Sequence, residues 1–149
     1  MLKDQAYFYL LGPQTMVAAG DEALSGPGVK VGYLSLEKLK VLSPALGIAD
    51  KLDRDFAQEP ARLRNSIDVY ADASIGIINI INMADMDALQ DRIAFVVKKD
   101  LFLLAEIEDA DGSVLRLFEG AVQRLQGGGT LERFIYAVLE RLLSGSNRM

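Results

Sequence analysis

The sequence contains neither cysteine nor histidine. Without cysteine there is no disulfide, no thiolate nucleophile and no zinc–thiolate site. Without histidine the chain lacks the commonest general base and the commonest transition-metal ligand, which excludes Ser-His-Asp and Cys-His catalysis within it. The oxygen ligands that remain suit hard cations such as magnesium or calcium. We therefore expect a protein that is not an enzyme and requires no cofactor.

Basic residues are also in the minority, 16 against 21 acidic residues, and the formal net charge is −5. The only run of adjacent basic residues is Lys98-Lys99, whereas nucleic-acid binding needs a basic stripe that displaces phosphate counterions. No stretch approaches the roughly 18–20 apolar residues that span a bilayer, and the N-terminus lacks signal-peptide character. We expect a soluble, cytoplasmic chain without a nucleic-acid partner.

The 149 residues fit a single domain over 1–149, with half of them hydrophobic. Residues rich in Ile, Val, Tyr and Phe alternate with turn signals and predict six strands. These strands are expected at 6–11, 29–34, 66–70, 73–83, 92–97 and 101–107. The residues between the last two strands, 98–100, predict a three-residue hairpin loop.

Four helices are predicted between and after these strands. Ser35 fits the N-cap of a first helix that Pro44 limits, and Asp50 fits the cap of a second helix that ends before Pro60. Apolar residues at helical spacing between Val114 and Leu125 indicate a third helix. Thr130 fits the N-cap of a fourth, whose apolar face comprises Leu131, Phe134, Ile135, Val138, Leu139 and Leu142.

The run 75–81 hardly alternates between apolar and polar residues, which is typical of a strand buried on both faces. Helices should therefore cover both sides of the sheet. Together with the order of the elements, this predicts an α/β (α+β) fold with a mixed, largely antiparallel sheet flanked by helices.

Three short motifs invite a functional interpretation that their context does not support. Ser35-Leu36-Glu37-Lys38 matches Ser-x-x-Lys but lacks the companion motifs of acyl-enzymes, so an N-cap explains it better. The stretch from Gly26 to Gly32 fits neither phosphate-loop pattern and precedes a strand, so it predicts a plain loop. The residues around Asp109-Ala110-Asp111-Gly112 put apolar side chains where a calcium loop needs oxygen ligands, so they predict a surface turn.

An acidic cluster in the second helix is the remaining candidate site. Asp50 and Asp53 share one helix face and are followed by Asp55 and Glu59. They can hold a hydrated divalent ion with help from a partner subunit, although a solvated helix face is the commoner explanation of such a pattern.

The second half of the chain resembles the N-terminal cytoplasmic domain of CorA-type magnesium transporters. The succession that carries the resemblance is Arg92-Ile-Ala-Phe-Val-Val, Lys-Lys-Asp, Leu101-Phe-Leu-Leu-Ala-Glu-Ile, a helix, a small-residue loop and a last helix of hydroxyl-x-x-x-hydrophobic-hydrophobic-Tyr pattern. In that last helix the matching residues are Thr130, Phe134, Ile135, Tyr136, Val138 and Leu139. Upstream, the strand and helix over 31–46, the acidic helix, Pro60 and the strand that leads to Tyr70 follow in the family's order.

The resemblance implies an α/β/α sandwich on the cytoplasmic face of the cell membrane, joined in a full-length parent to a stalk helix and two membrane helices. It also implies a homopentamer in which divalent ions between neighbouring domains favour the closed channel. The stalk, the membrane helices and the Gly-Met-Asn motif are absent from these 149 residues, so this chain is not expected to conduct ions by itself. Asp50 and Asp53 are the residues that would supply a regulatory Mg²⁺ site between subunits. The alternative is a stand-alone α/β oligomerisation or adaptor module that uses the face of its last helix.

Overall fold

The computed structural model describes residues 6–56, 66–80, 91–108 and 112–147. Within these ranges it contains seven strands, four α-helices and a short 3₁₀ helix, Asp21–Ser25. The strands are β1 (Ala6–Leu11), β2 (Met16–Ala19), β3 (Val29–Ser35), β4 (Ser66–Val69), β5 (Ala73–Ile80), β6 (Asp91–Lys98) and β7 (Leu101–Glu108). The helices are α1 (Leu36–Leu46), α2 (Ala49–Asp55), α3 (Ser113–Arg124) and α4 (Leu131–Asn147).

All seven strands form one sheet in the order β2-β1-β3-β7-β6-β5-β4. Only the central pair of β3 and β7 is parallel, and the five other pairs are antiparallel. The sheet is therefore mixed and largely antiparallel, as the sequence predicts. The two terminal strands of the sheet are β2 and β4, both only four residues long.

Helices cover both faces of this sheet, which confirms the α/β/α sandwich. One core lies between the sheet and the pair α1–α2, and it includes Leu39, Leu52 and Ile75. The other core lies between the sheet and the pair α3–α4, and it is built around Phe118 and Phe134. Two separate cores arise because successive residues of each strand point to opposite faces.

Aromatic rings form the centre of the second core. The ring centroid of Phe118 lies 5.6 Å from that of Phe134, 5.9 Å from that of Tyr33 and 6.1 Å from that of Tyr9. The rings are tilted or edge-to-face, which their quadrupoles favour over face-to-face stacking. Phe118 is fully buried, so it joins α3 to α4 and to the first strands of the sheet.

Local capping signals in the sequence are reproduced in the helices. The Ser35 hydroxyl accepts a hydrogen bond from the Lys38 backbone N–H at 3.1 Å, and Thr130 accepts one from the Arg133 N–H at 3.2 Å. Such caps satisfy backbone donors that the first turn of a helix leaves free. The helix α1 continues past Pro44 and ends at Leu46, and the next residue, Gly47, caps it with a left-handed φ of 72°.

The structure corrects several predicted details. The hairpin loop between β6 and β7 has two residues rather than three, because Lys98 pairs with Leu101 and Asp100 adopts a left-handed φ of 64°. The residues between β1 and the 3₁₀ helix, for which the sequence predicts no strand, contain an additional strand, β2. The predicted end of β5, residues 81–83, lies outside the described residues.

The apolar face of α4 is also narrower than predicted. Leu131, Phe134 and Val138 are buried, but Leu139 is 44% exposed, and Ala137 lies in the core beside Val138. The centre of the face lies closer to Ala137 than to Leu139 because α4 packs against α3 and the sheet at once.

Candidate functional site

The two predicted metal ligands lie on the outer side of α2. Asp50 and Asp53 are exposed, and Leu52 between them is completely buried. Burial of Leu52 fixes the rotation of this seven-residue helix, so the two carboxylates are one turn apart and directed to solvent. The structure thus presents them on one face, as the spacing predicts.

The predicted capping role of Asp50 is wrong. The helix begins at Ala49, with Ile48 at the N-cap position and no side-chain cap, so Asp50 lies in the first turn. Ile48 is completely buried, and its carbonyl accepts a hydrogen bond from the Leu52 N–H at 2.8 Å. Core packing of Ile48 therefore sets the start of the helix, and the Asp50 carboxylate remains available to solvent.

Asp55 belongs to the same helix but turns toward the sheet. Its carboxyl oxygen Oδ1 accepts a hydrogen bond from the Tyr70 hydroxyl at 3.1 Å, and its Oδ2 is buried. Burial raises the pKa of Asp55 to about 6, and the neighbouring Asp68 carboxyl adds to the increase, whereas Tyr70 and Arg54 oppose it. Asp55, Asp68 and Tyr70 therefore form an inner carboxyl cluster between α2 and the β4–β5 hairpin.

Basic side chains of α2 reinforce this contact. Lys51 forms a 3.2 Å salt bridge with Asp72 in the β4–β5 turn, and its ammonium lies 5.5 Å from the centre of the Tyr70 ring. Arg54 lies 6.0 Å from the same ring. Hydrogen bonding and charge attraction by Lys51 lower the pKa of Asp72. The helix that carries Asp50 and Asp53 is thus tied to one hairpin by both charge and aromatic contacts.

The inner carboxyl cluster was not identified from the sequence, although a signal for it exists. Alternation along β4 places Asp68 and Tyr70 on the same face of the sheet, and the pairing of Asp68 with Ile75 identifies that face as the one beneath α2. Asp55 was predicted only as part of a general acidic surface. Glu59, the last acid of that surface, lies outside the described residues.

A metal ion would need more ligands than the described part of one chain brings together. Those residues contain no group of three or more Asp, Glu, His or Cys side chains placed to hold a metal ion. Asp50 and Asp53 offer two carboxylates, which fits a hydrated Mg²⁺ that keeps several waters. A further protein ligand would have to come from outside the described residues of this chain.

The other short motifs have structural explanations. Ser35 caps α1, and Lys38 forms a 2.7 Å salt bridge with Asp21 rather than approaching the Ser35 hydroxyl as a base. The predicted loop before β3 is observed, with Gly28 at a φ of 98°. Gly112 precedes α3 at its N-cap position, while the predicted turn residues 109–111 lie outside the described ranges.

A shallow groove between α3 and α4 has a volume of about 550 Å³. Arg124 at its wall is already paired with Glu140 at 3.3 Å. The lining residues of the groove include no nucleophile paired with a base, so the groove does not have the arrangement of a catalytic centre. Its lining residues are Arg124, Leu125, Gly128, Glu132, Arg133, Tyr136 and Ala137.

The architecture defines a class of domain: a seven-stranded mixed sheet with two helices on each face. Solved structures of this class include the ZntB cytoplasmic domain from Vibrio parahaemolyticus RIMD 2210633, which is 13% identical, has a TM-score of 0.70 and matches 93% of this chain and 57% of that one. The soluble domain of CorA from Methanocaldococcus jannaschii is 12% identical, with a TM-score of 0.66, and matches 97% of this chain and 58% of that one.

The complete CorA magnesium transporter from Methanocaldococcus jannaschii gives the same TM-score of 0.66 at 12% identity, covering 97% of this chain and 46% of that one. The predicted resemblance to CorA is therefore confirmed at the level of the fold. This chain spans about half of the length of these three structures. Its sequence matches no protein-family model and no curated protein. Among the described residues, no helix is both long and apolar enough to cross a membrane.

Proposed function

We propose that this chain is the cytoplasmic regulatory domain of a CorA-like divalent cation transporter. The observation that carries the proposal is the agreement of fold with ZntB and CorA domains over 93% and 97% of the chain. In this proposal the domain does not conduct ions by itself. Its partners are the membrane domain of its own full-length parent and further copies of itself in a homopentamer, at the cytoplasmic face of the membrane.

The proposed regulation works by linkage. An ion that binds between two copies stabilises the arrangement in which the copies are close, so it favours the pore state that has this arrangement. Asp50 and Asp53 are the proposed ligands because both are exposed on one face of α2. Contacts of Lys51 with Asp72 and Tyr70 hold α2 to the β4–β5 hairpin. Ion binding at Asp50 and Asp53 would therefore move α2 and this hairpin together.

The test measures thermal unfolding and sedimentation of the 149-residue chain with and without millimolar Mg²⁺. We expect Mg²⁺ to raise the melting temperature and to increase self-association, because a ligand that binds only the folded state stabilises it by mass action. The double variant Asp50→Ala/Asp53→Ala should lose both effects. A control that removes two exposed acids from the other helix layer, Glu119→Ala/Glu132→Ala, should keep them.

Absence of any Mg²⁺ effect in the unmodified chain would overturn the ligand assignment. An equal loss in the control variant would show that Mg²⁺ acts through net charge rather than through Asp50 and Asp53. The transporter assignment has its own test in the parent gene, where a continuing reading frame with two apolar stretches of about 20 residues is expected.

A stand-alone oligomerisation or adaptor module remains the second candidate. Tyr136 and Leu139 on α4 favour it, since they are 68% and 44% exposed and lie one turn apart. Under this alternative the chain self-associates without Mg²⁺, and Tyr136→Ser/Leu139→Ser abolishes the association. Under the transporter proposal, association depends on Mg²⁺ and on Asp50.

A further inference from the structure

Among the described strands, β4 forms one edge of the sheet. All four of its residues are exposed, and Ile67 and Val69 are 59% and 75% exposed. Natural sheets guard such edges with short strands, charged side chains, proline or bulges because an open edge pairs with other chains. The strand Ser66–Val69 is short and has one charge, Asp68, but contains no lysine and no proline.

The pairing of β4 with β5 shows which backbone groups of β4 point away from β5. The Tyr70 N–H donates a hydrogen bond to the Ala73 carbonyl at 2.7 Å, so this pair is hydrogen-bonded. Along two antiparallel strands, pairs of opposite residues alternate between pairs that exchange backbone hydrogen bonds and pairs that do not. Asp68 is therefore bonded to β5, and the N–H and C=O groups of Ile67 and Val69 point outward. No hydrogen bond from another described residue reaches them.

The carboxyl group of Asp68 favours a basic side chain on any strand that pairs with this edge. Asp68 lies between the two outward residues and directs its carboxyl to the other face, beside Asp55. In the described part of the chain, no salt bridge joins Asp55 or Asp68 to a cation. A residue placed directly opposite Asp68 on a neighbouring strand would have its side chain next to these two carboxyl groups.

We propose that the outer edge of β4 binds an extended segment of a partner protein by antiparallel strand addition, with an apolar–basic–apolar sequence whose basic residue lies opposite Asp68. The two apolar residues pair with Ile67 and Val69 and cover their exposed side chains. Backbone hydrogen bonds supply affinity in this mode of binding, and alternate side chains supply specificity.

A second copy of this chain fits the edge less well. The two-fold pairing that joins Ile67 of one copy to Val69 of the other places the two Asp68 residues directly opposite, where like charges repel. The other terminal strand, β2, has the sequence Met-Val-Ala-Ala and offers no basic residue. The occupant is therefore a separate polypeptide.

The test titrates the ¹⁵N-labelled 149-residue chain with a capped peptide, Thr-Thr-Val-Lys-Val-Thr-Thr, and follows backbone amide shifts. We expect saturable shifts centred on Ile67 and Val69, with a dissociation constant on the order of 1 mM. N-methylation of both peptide valines removes the donors that face β4 and should abolish binding. N-methylation of the lysine should be tolerated, because its N–H points away from the edge.

Charge reversal tests the role of Asp68. A peptide with glutamate in place of lysine should bind about three- to fivefold more weakly, as expected for one exposed ion pair. Asp68→Lys should reverse this preference, whereas Val17→Lys on β2 should leave it unchanged. Lack of shifts at Ile67 and Val69, or equal binding of the two N-methylated peptides, would overturn strand addition. If the Asp68→Lys variant still bound the lysine peptide more tightly than the glutamate peptide, the proposal that the partner has a basic residue opposite Asp68 would be wrong.

Discussion

The inner carboxyl cluster makes the stability of the domain depend on pH. Asp55 has a pKa of about 6 in the folded chain against an ordinary value of 3.8. Because the folded value is the higher one, the folded state binds a proton that the unfolded state releases. The resulting stabilisation is complete below 3.8 and is lost as the pH rises through 6. We therefore predict that Asp68→Asn stabilises the chain at about pH 7.5 but not at about pH 4.5.

The magnitude follows from the pKa of Asp55. A difference between 3.8 and about 6 corresponds to about 3 kcal/mol. Asp55 is only partly buried, and solvent screening reduces this to about 1–1.5 kcal/mol. Burial is the larger cause and Asp68 the second, so removal of the Asp68 charge should recover about 0.5–1 kcal/mol at the higher pH.

The assay is urea unfolding followed by circular dichroism in metal-free buffer, repeated across this pH range for both chains. Asp53→Asn is the matched control, since it removes one exposed carboxylate from the same region without touching the cluster. Its effect on the free energy of unfolding should be small and independent of pH. An Asp68→Asn effect of the same size at both ends of the range would refute the assignment to Asp55, as would destabilisation at the higher pH.

Three further substitutions test the packing of the second core and one helix cap. Gly76→Ala places a methyl group 2.2 Å from the Phe95 ring, and we expect a loss of about 1–3 kcal/mol in urea unfolding, whereas Gly127→Ala, which meets nothing within 4 Å, should cost little. Phe118→Ala removes the ring that joins α3 to α4 and should cost about 3–5 kcal/mol by the same measurement. Thr130→Ala should cost about 1 kcal/mol, and Thr130→Ser should restore most of it, because serine also caps α4.

Most of the fold was predictable because its elements have strong local signals. Ser35 and Thr130 are capping residues placed directly before helical periodicity, and each proves to be an N-cap. The run of isoleucines in β5 predicted helices on both faces of the sheet, and both faces are covered. Such signals depend on residues that are close in sequence, so they can be recognised without knowledge of the tertiary structure.

Other features depend on contacts between distant parts of the chain and were missed or misplaced. The start of α2 is set by burial of Ile48 in the core and not by the capping tendency of Asp50. The hydrogen bond between Asp55 and Tyr70 joins residues that are 15 positions apart. The identity of the two residues does not by itself predict that they are in contact. The strand β2 pairs with β1 but has only four residues with little alternation, which is too short a signal to distinguish it from a loop.

The proposed ion site differs from the fold in what it requires of the sequence. A sandwich of this kind needs apolar residues at strand and helix periodicity, and many sequences satisfy that pattern, which explains agreement with CorA at 12% identity. An ion site needs particular oxygen ligands at particular positions. Loss of Asp50 and Asp53 would therefore remove the response to Mg²⁺ while leaving the fold intact. For this reason the Mg²⁺ experiment tests the two residues independently of the architecture, and a folded double variant without the response is the outcome that the ligand assignment requires.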